Sequence, residues 1–324
     1  MSEQKQGCAT FKTMIGGQAL IEGIMMRGPS KQSVVVRKPD GTLEIKTEDL
    51  KLVKTRHPVL GWPLIRGCVN FIDSMVKGVK ALMYSAEFYP EDEEEEEPSK
   101  FEKWMTEKLG NEKMTSLLIG FAVLVGVVFA VGLFMLLPTA LGSGFVALFP
   151  GLPGWARHLF EGVVRIALFV GYLAFCSRTK DIKRVFSYHG AEHKTIFCYE
   201  RGLELTVDNV RDMPRHHPRC GTSFLFVVII VAILIYSVLF SFITPPNLLV
   251  RMLIQIALLP VIVSITYEFN RFVGRHDNWL TRLLTAPGLW LQNFTTFEPD
   301  DSMMEVGIEA LKQVLPEVKG EDAW

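Results

Sequence analysis

The chain has 324 residues, of which 49% are hydrophobic and 21% charged, and a net charge of -1. Those figures exclude a disordered chain, a collagen-like chain and a strongly basic nucleic-acid binder, so no nucleic-acid partner is expected. Five cysteines, at positions 8, 68, 176, 198 and 220, have neither the density nor the pairing of a secreted disulfide scaffold and point to a reducing compartment.

In chain order, Met1 to Thr13 is polar and lacks the apolar core of a signal peptide, which predicts a cytoplasmic start. A glycine-punctuated stretch, Gly16 to Pro29, precedes a hairpin pattern: Ser33 to Arg37, the turn Pro39-Asp40-Gly41, then Leu43 to Lys46. Residues 1–60 are therefore expected to form a small β-rich cytoplasmic unit. Its glycines are not followed by the Gly-Lys-Ser/Thr ending of a phosphate loop. Within 61–89, Leu64, Ile65, Val69, Ile72, Met75, Val76, Val79, Leu82 and Met83 recur at helical spacing among basic residues. This predicts an amphipathic helix, lying on the inner leaflet or packed against a bundle. Residues 90–113 hold the acidic tract Glu91 to Glu97 between Pro90 and Pro98, read as a solvated linker, and a short helix.

Charges then disappear. The 43 residues between Lys113 and Arg157 carry none, nor do the 31 from Cys220 to Val250. A hydrocarbon core needs about 20 apolar residues of helix, so both runs are long enough to cross a membrane. Four spans are predicted, near Thr115–Leu137, His158–Ser177, Gly221–Ile243 and Leu248–Tyr267, two within 114–178 and two within 221–268. The fold class is mainly α, polytopic, and the lipid bilayer is the expected partner. Glu161 and Arg165, spaced i, i+4, read as a helix pair that snorkels to the outer end of the second span. The short loops after the first and third spans lack Lys and Arg, whereas nine lie between Arg178 and Arg219. The positive-inside rule puts that loop, 179–220, and both termini in the cytoplasm. Residues 269–324 are expected to be cytoplasmic helices, with Ser302 and Glu305 as a capping box for a helix running through about Leu315.

The concentrated chemistry lies in the 179–220 loop, which holds His189, Glu192, His193, Cys198, Glu200, His216, His217 and Cys220. His189 and His193 share one helix face, which suits two imidazoles on one divalent ion such as zinc. His189-Gly190-Ala191-Glu192-His193 is a His-x-x-Glu-His pattern, as in inverted zinc peptidases, with Glu192 in the position of the general base. His217 and Cys220 are the further candidate ligands, and Glu268 is another possible ligand or base. A closed set of four predicts a structural metal. An open set of three with Glu192 free predicts a hydrolase. Without metal, Cys220 and Gly221 at a helix start, with Arg215 and Arg219, would suit a lipid headgroup phosphate.

Gly16-Gly17-Gln18-Ala19-Leu20-Ile21-Glu22-Gly23-Ile24-Met25-Met26-Arg27, His189-Gly190-Ala191-Glu192-His193-Lys194, His217-Pro218-Arg219-Cys220-Gly221-Thr222-Ser223 and Pro287-Gly288-Leu289-Trp290-Leu291-Gln292 resemble the signatures of the bacterial YqhQ-like family. Four separated motifs in order span nearly the whole chain. The resemblance implies a bacterial multi-pass plasma-membrane protein of a family labelled as predicted metal-dependent enzymes, and no established reaction. Two functional readings follow. One is metal-assisted hydrolysis of a lipid-linked or membrane-protein substrate. The other is a non-enzymatic assembly or regulatory factor, binding other membrane proteins, whose His and Cys residues are structural or hold a headgroup. A transporter is disfavoured by the few charges in the spans and the lack of an internal repeat.

Overall fold

The computed structural model describes residues 11–50, 58–89, 111–152, 154–276, 278–318 and 320–323. The acidic tract, the linker around it and Cys8 lie outside the described residues. The chain divides into two compact units that are not consecutive in sequence: Met1–Tyr89 with Val170–Ala232 and Leu258–Trp324, and Pro90–Phe169 with Ile233–Ala257.

The first unit is built on an antiparallel meander, β1 (Gly16–Leu20), β2 (Gly23–Arg27), β3 (Lys31–Arg37) and β4 (Leu43–Asp49), in that spatial order. The predicted hairpin is the β3–β4 pair, with Arg37 opposite Leu43 and Asp40 accepting hydrogen bonds from the Thr42 amide and hydroxyl at 2.9 and 2.6 Å. The glycine-punctuated stretch is the β1–β2 pair, Gly16 opposite Arg27. Ile24-Met25-Met26 and Val34-Val35-Val36 are unbroken apolar runs because both faces of the sheet are covered. Ile24, Met26 and Val35 pack against Tyr188, Ala191, Met304 and Leu311. On the other face Leu20, Met25, Val34 and Val36 pack against Ala81, Tyr84 and Phe88. Each such fully buried side chain contributes roughly 1.5–3 kcal/mol. β4 is the edge, and its Lys46, Glu48 and Asp49 are exposed, which blunts it against pairing with another chain.

Those covering groups belong to three helices. α1 (Arg66–Ala86) is the predicted amphipathic helix, and its buried positions are small: Gly67, Gly78, Ala81 and Ser85. Ile72, Met75 and Val76 are left exposed on it, as a helix at a lipid surface would present them. The other sheet face is covered by α5 (Lys180–Glu200) and α10 (Asp301–Lys312). α10 starts two residues before the predicted box. Asp300, not Ser302, is its cap, accepting from the Met303 amide at 3.0 Å, and the helix ends at Lys312 rather than near Leu315. Asp300 wins because its carboxylate also takes the Ser302 hydroxyl, at 2.6 Å. The unit is closed by residues near both ends of the chain: Thr13 donates from its hydroxyl to Asp322 at 2.5 Å and from its amide to Glu200 at 2.8 Å, and Met14 donates to the Asp322 carbonyl at 2.6 Å.

Four helices are long and apolar enough to cross a membrane, as expected: Leu117–Leu148, Gly154–Cys176, Gly221–Phe242 and Leu248–Arg275. The last three are α4, α7 and α8. The first comprises α2 (Asn111–Val131), a π turn (Gly132–Leu136) and α3 (Leu137–Leu148), so it runs well past the predicted end at Leu137. Its large apolar side chains, such as Phe121, Leu124, Val128 and Phe129, are exposed, which suits lipid rather than water.

Pro138 explains the π turn. Lacking an N–H, it cannot donate the usual helical hydrogen bond to the Phe134 carbonyl four residues earlier. The Leu137 amide reaches back five residues to the Gly132 carbonyl, and Arg165 donates its Nε to the Phe134 carbonyl at 2.8 Å. A donor to that carbonyl counts in hydrocarbon, where no water supplies one. The expected Glu161–Arg165 snorkelling pair is therefore corrected. Both residues are buried at 5% exposure, and Glu161 instead binds Arg157 at 2.8 Å and Arg251 at 2.7 Å.

Candidate metal centre

The site is assembled on α5. One helical repeat places His189 over His193, with ring centroids 4.3 Å apart. Each ring is fixed by its Nδ1: His189 against the Thr295 carbonyl at 2.8 Å, His193 against the Arg215 carbonyl at 2.6 Å. A carbonyl only accepts, so both Nδ1 atoms carry the proton, and in the neutral rings both Nε2 atoms present lone pairs. The His189 Nε2 lies 3.1 Å from Cys220 Sγ. Cys220 stands immediately before α7 (Gly221–Phe242), where its sulfur accepts from the Thr222 amide at 3.4 Å.

Ligand atoms of His189, His193 and Cys220 all lie within 4.8 Å of one another, the one such group among the described residues. In a tetrahedral zinc site, bonds of about 2.0–2.1 Å to nitrogen and 2.3 Å to sulfur put neighbouring ligand atoms roughly 3.3–3.6 Å apart. Three electron-pair donors facing one point need a proton or a cation between them. Burial pushes the Cys220 thiol up, but His189 and His193 more than offset it and hold the thiol well below its usual range. Burial lowers His189 in turn, and the facing sulfur raises it to about 9.

Glu192 lies one residue before His193 and is 5% exposed. Its Oε1 accepts from the Gly17 amide at 3.0 Å, while its Oε2 is buried with no partner among the described residues. Burial raises its pKa and the two histidines pull against that rise. An orphaned carboxylate oxygen beside three converging donors is the feature that fits a bound cation and its water.

Two glycines make the arrangement sterically feasible. A Cβ on Gly17 would stand 3.0 Å from the Glu192 carboxyl carbon and 2.5 Å from the Met25 carbonyl, so only glycine lets β1 bring its amide to Glu192. A Cβ on Gly190 would collide with the Phe297 carbonyl oxygen. Because it is absent, the extended segment after α9 (Trp279–Thr295) lies along α5, with the Phe297 amide on the Phe186 carbonyl at 3.0 Å and the Thr295 carbonyl on His189.

The structure does not bring His217, His216 or Glu268 into this group. His217 packs beside His193, centroids 5.5 Å apart, but its ring nitrogens face Arg219 and Glu200: Nδ1 accepts from the Arg219 amide at 3.4 Å, and Nε2 is 3.8 Å from Glu200. Burial pushes its pKa down to about 4, so it is neutral near pH 7. Arg219 pairs with Glu200, and Glu268 makes a two-point pair with Arg66 at 2.6 and 2.5 Å. Gln292 is the residue that sequence reasoning left unassigned. It accepts from the His217 amide at 2.7 Å and donates to the His217 carbonyl at 2.8 Å and the Ser223 hydroxyl at 3.2 Å, which pins the loop that carries Cys220. Its place in the Pro287–Gln292 motif was the available signal.

A sheet-bearing unit with a buried His/His/Cys group, on a chain with four membrane-crossing helices, defines a polytopic α-helical membrane protein. All four sequence motifs meet in that unit. The chain belongs to the family described as "Protein of unknown function (DUF1385)", which matches residues 62–317. It is 35% identical over 307 residues to the uncharacterized protein YqhQ of Bacillus subtilis (strain 168), covering 93% of this chain and 92% of that protein. No solved structure matches. The family match begins after the sheet, yet Gly17 on β1 bonds Glu192.

Proposed function

We propose that the protein is a metal-dependent hydrolase of a bacterial plasma membrane, with its centre and both termini facing the cytoplasm, acting on a lipid-linked or membrane-protein substrate. His189, His193 and Cys220 hold the cation, and the His₂Cys donor set suits zinc. A zinc ion held there supplies Lewis acidity and lowers the pKa of water. Glu192 Oε2 is the general base that takes the proton from the attacking water. Gly17 holds the other carboxylate oxygen, so the free one keeps its aim. The observation that carries the reading is that buried, unpartnered Oε2 beside three converging donors. The nine basic residues from Arg178 to Arg219 support the orientation.

One observation favours a structural metal in a non-enzymatic assembly factor: His193 is only 1% exposed. Metal content of chelator-free purified protein, with cellular complementation, separates the two. Hydrolysis predicts about one zinc per chain, lost in His189→Ala, retained in Glu192→Gln, and a cellular defect in both. A Glu192→Gln variant that keeps zinc and complements fully removes the base and leaves the structural reading. Protein with no bound metal refutes both.

A further inference from the structure

The apolar part of the second unit holds a charge imbalance that its own residues do not resolve. Between Leu117 and Phe169 and between Ile233 and Ala257 the sequence contains three arginines, Arg157, Arg165 and Arg251, and one acid, Glu161. Glu161 is shared by Arg157 and Arg251. Arg165 has only the neutral Phe134 carbonyl and the face of Tyr236, 5.6 Å from the ring centroid. Two positive charges are left over in the part of the chain that lies in lipid, where an uncompensated charge is costly and marks a functional pathway or ligand.

Arg157 and Arg251 border open space. A cavity of about 350 Å³, within the usual range of small-ligand pockets, is lined by Ser143, Arg157, His158, Phe240, Asn247 and Arg251. Arg251 is 6% exposed, and its Nε is buried with no partner. Its guanidinium is stacked over Phe240, 4.6 Å from the centroid, which fixes its plane. Arg157 is held by Glu161 and, at 2.8 Å, by the Ser143 hydroxyl. Two long helices begin at the cavity, α4 at Gly154 and α8 at Leu248, and the positive ends of their dipoles add to the arginines. Exposed Trp155, next to Gly154, is the side chain that favours headgroup depth.

We propose that this cavity binds a phosphate-type anion, with Arg251 and Arg157 as the guanidinium partners and the two helix starts as the backbone contribution. A fork of guanidinium donors matches phosphate oxygens in a way that a lysine would not. The anion supplies negative charge that this apolar part lacks. At this depth it is either the phosphodiester of an acidic phospholipid or free phosphate.

The test uses the full-length protein in nanodiscs of phosphatidylcholine, with or without phosphatidylglycerol, read by native mass spectrometry, and a parallel titration with inorganic phosphate alone. The expected result is one saturable equivalent of one probe, weakened at least tenfold in Arg157→Gln and by less in Arg157→Lys, which keeps the charge but not the fork. Retention of one phosphatidylglycerol that inorganic phosphate does not displace assigns the lipid. A single phosphate equivalent that competes with the lipid assigns the free anion. Binding of neither probe, or equal binding by wild type and Arg157→Gln, overturns the proposal. Arg157 is the choice because it is partly exposed in the first turn of α4, and its lysine variant controls for folding.

Discussion

Gly190→Ala alters no proposed ligand or base, yet the geometry predicts that it damages the centre. The added Cβ falls on the Phe297 carbonyl oxygen, a backbone atom that cannot swing aside as a side-chain tip would. The segment from Thr295 to Phe297 must therefore move off α5. Two hydrogen bonds stretch with it, the Phe297 amide on Phe186 and the Thr295 carbonyl on His189 Nδ1. Forced overpacking of this kind costs about 1–3 kcal/mol. Loss of an outer partner from a metal-ligating histidine typically costs 10–100-fold in affinity, or about 1.4–2.7 kcal/mol. Thermal unfolding in detergent reads the first quantity, and zinc competition against a chromophoric chelator reads the second. A Gly190→Ala protein with wild-type melting temperature refutes the packing argument whatever the metal result. Normal melting loss with unchanged zinc affinity refutes the role given to the Thr295 carbonyl.

Gln292→Leu leaves the buried His217 amide unpaired, while the His217 carbonyl keeps the Cys220 amide at 3.3 Å, and should cost about 1–3 kcal/mol, seen as a lower melting temperature, with increased alkylation of Cys220 as its loop loosens. Arg165→Leu removes the Nε donor from the Phe134 carbonyl and should destabilise, and Pro138→Ala should restore the helical N–H; a double-mutant cycle should show the pair less than additive by about 1 kcal/mol, and strict additivity would contradict the π-turn explanation. Asp300→Ala removes the α10 cap and should cost about 1 kcal/mol near neutral pH. Burial raises the Asp300 carboxyl, but bonds from Ser302 and the Met303 amide hold it below its ordinary value of 3.8. The stabilisation is thus full above about pH 4 and lost as pH falls through the lowered pKa, so wild type and Asp300→Ala should converge in acid melts.

What a sequence shows is what neighbours along the chain decide. Charge-free runs disclosed the spans because insertion depends on the composition of one segment, and His189 and His193 were legible because four residues bring a helix round to the same face. His217 shows where that stops. Its spacing to Cys220 suits a metal site, but Arg219 and Glu200 direct its ring nitrogens elsewhere, and Glu200 stands at the end of α5, 17 residues earlier in the chain and brought to it only by the fold. Glu161 likewise had Arg165 at the favourable spacing and took Arg251 instead, from a different span. Pro138 was a plausible stop in water; Arg165, 27 residues on, supplies what the proline withholds. The carbonyls of Thr295 and Arg215, which set both imidazoles, have no side-chain signature at all.

The Thr13–Asp322 contact has a consequence for how the protein is made. The sheet is translated first, but the helix and extended segment that cover it and orient His189 are translated last, after every span has emerged. A chain truncated before residue 295 therefore carries all four apolar helices yet lacks the carbonyl that holds His189. The orientation of His189 is in this way made contingent on synthesis of the segment beyond the last apolar helix, an order of assembly that a pulse-labelled series of truncated chains would display.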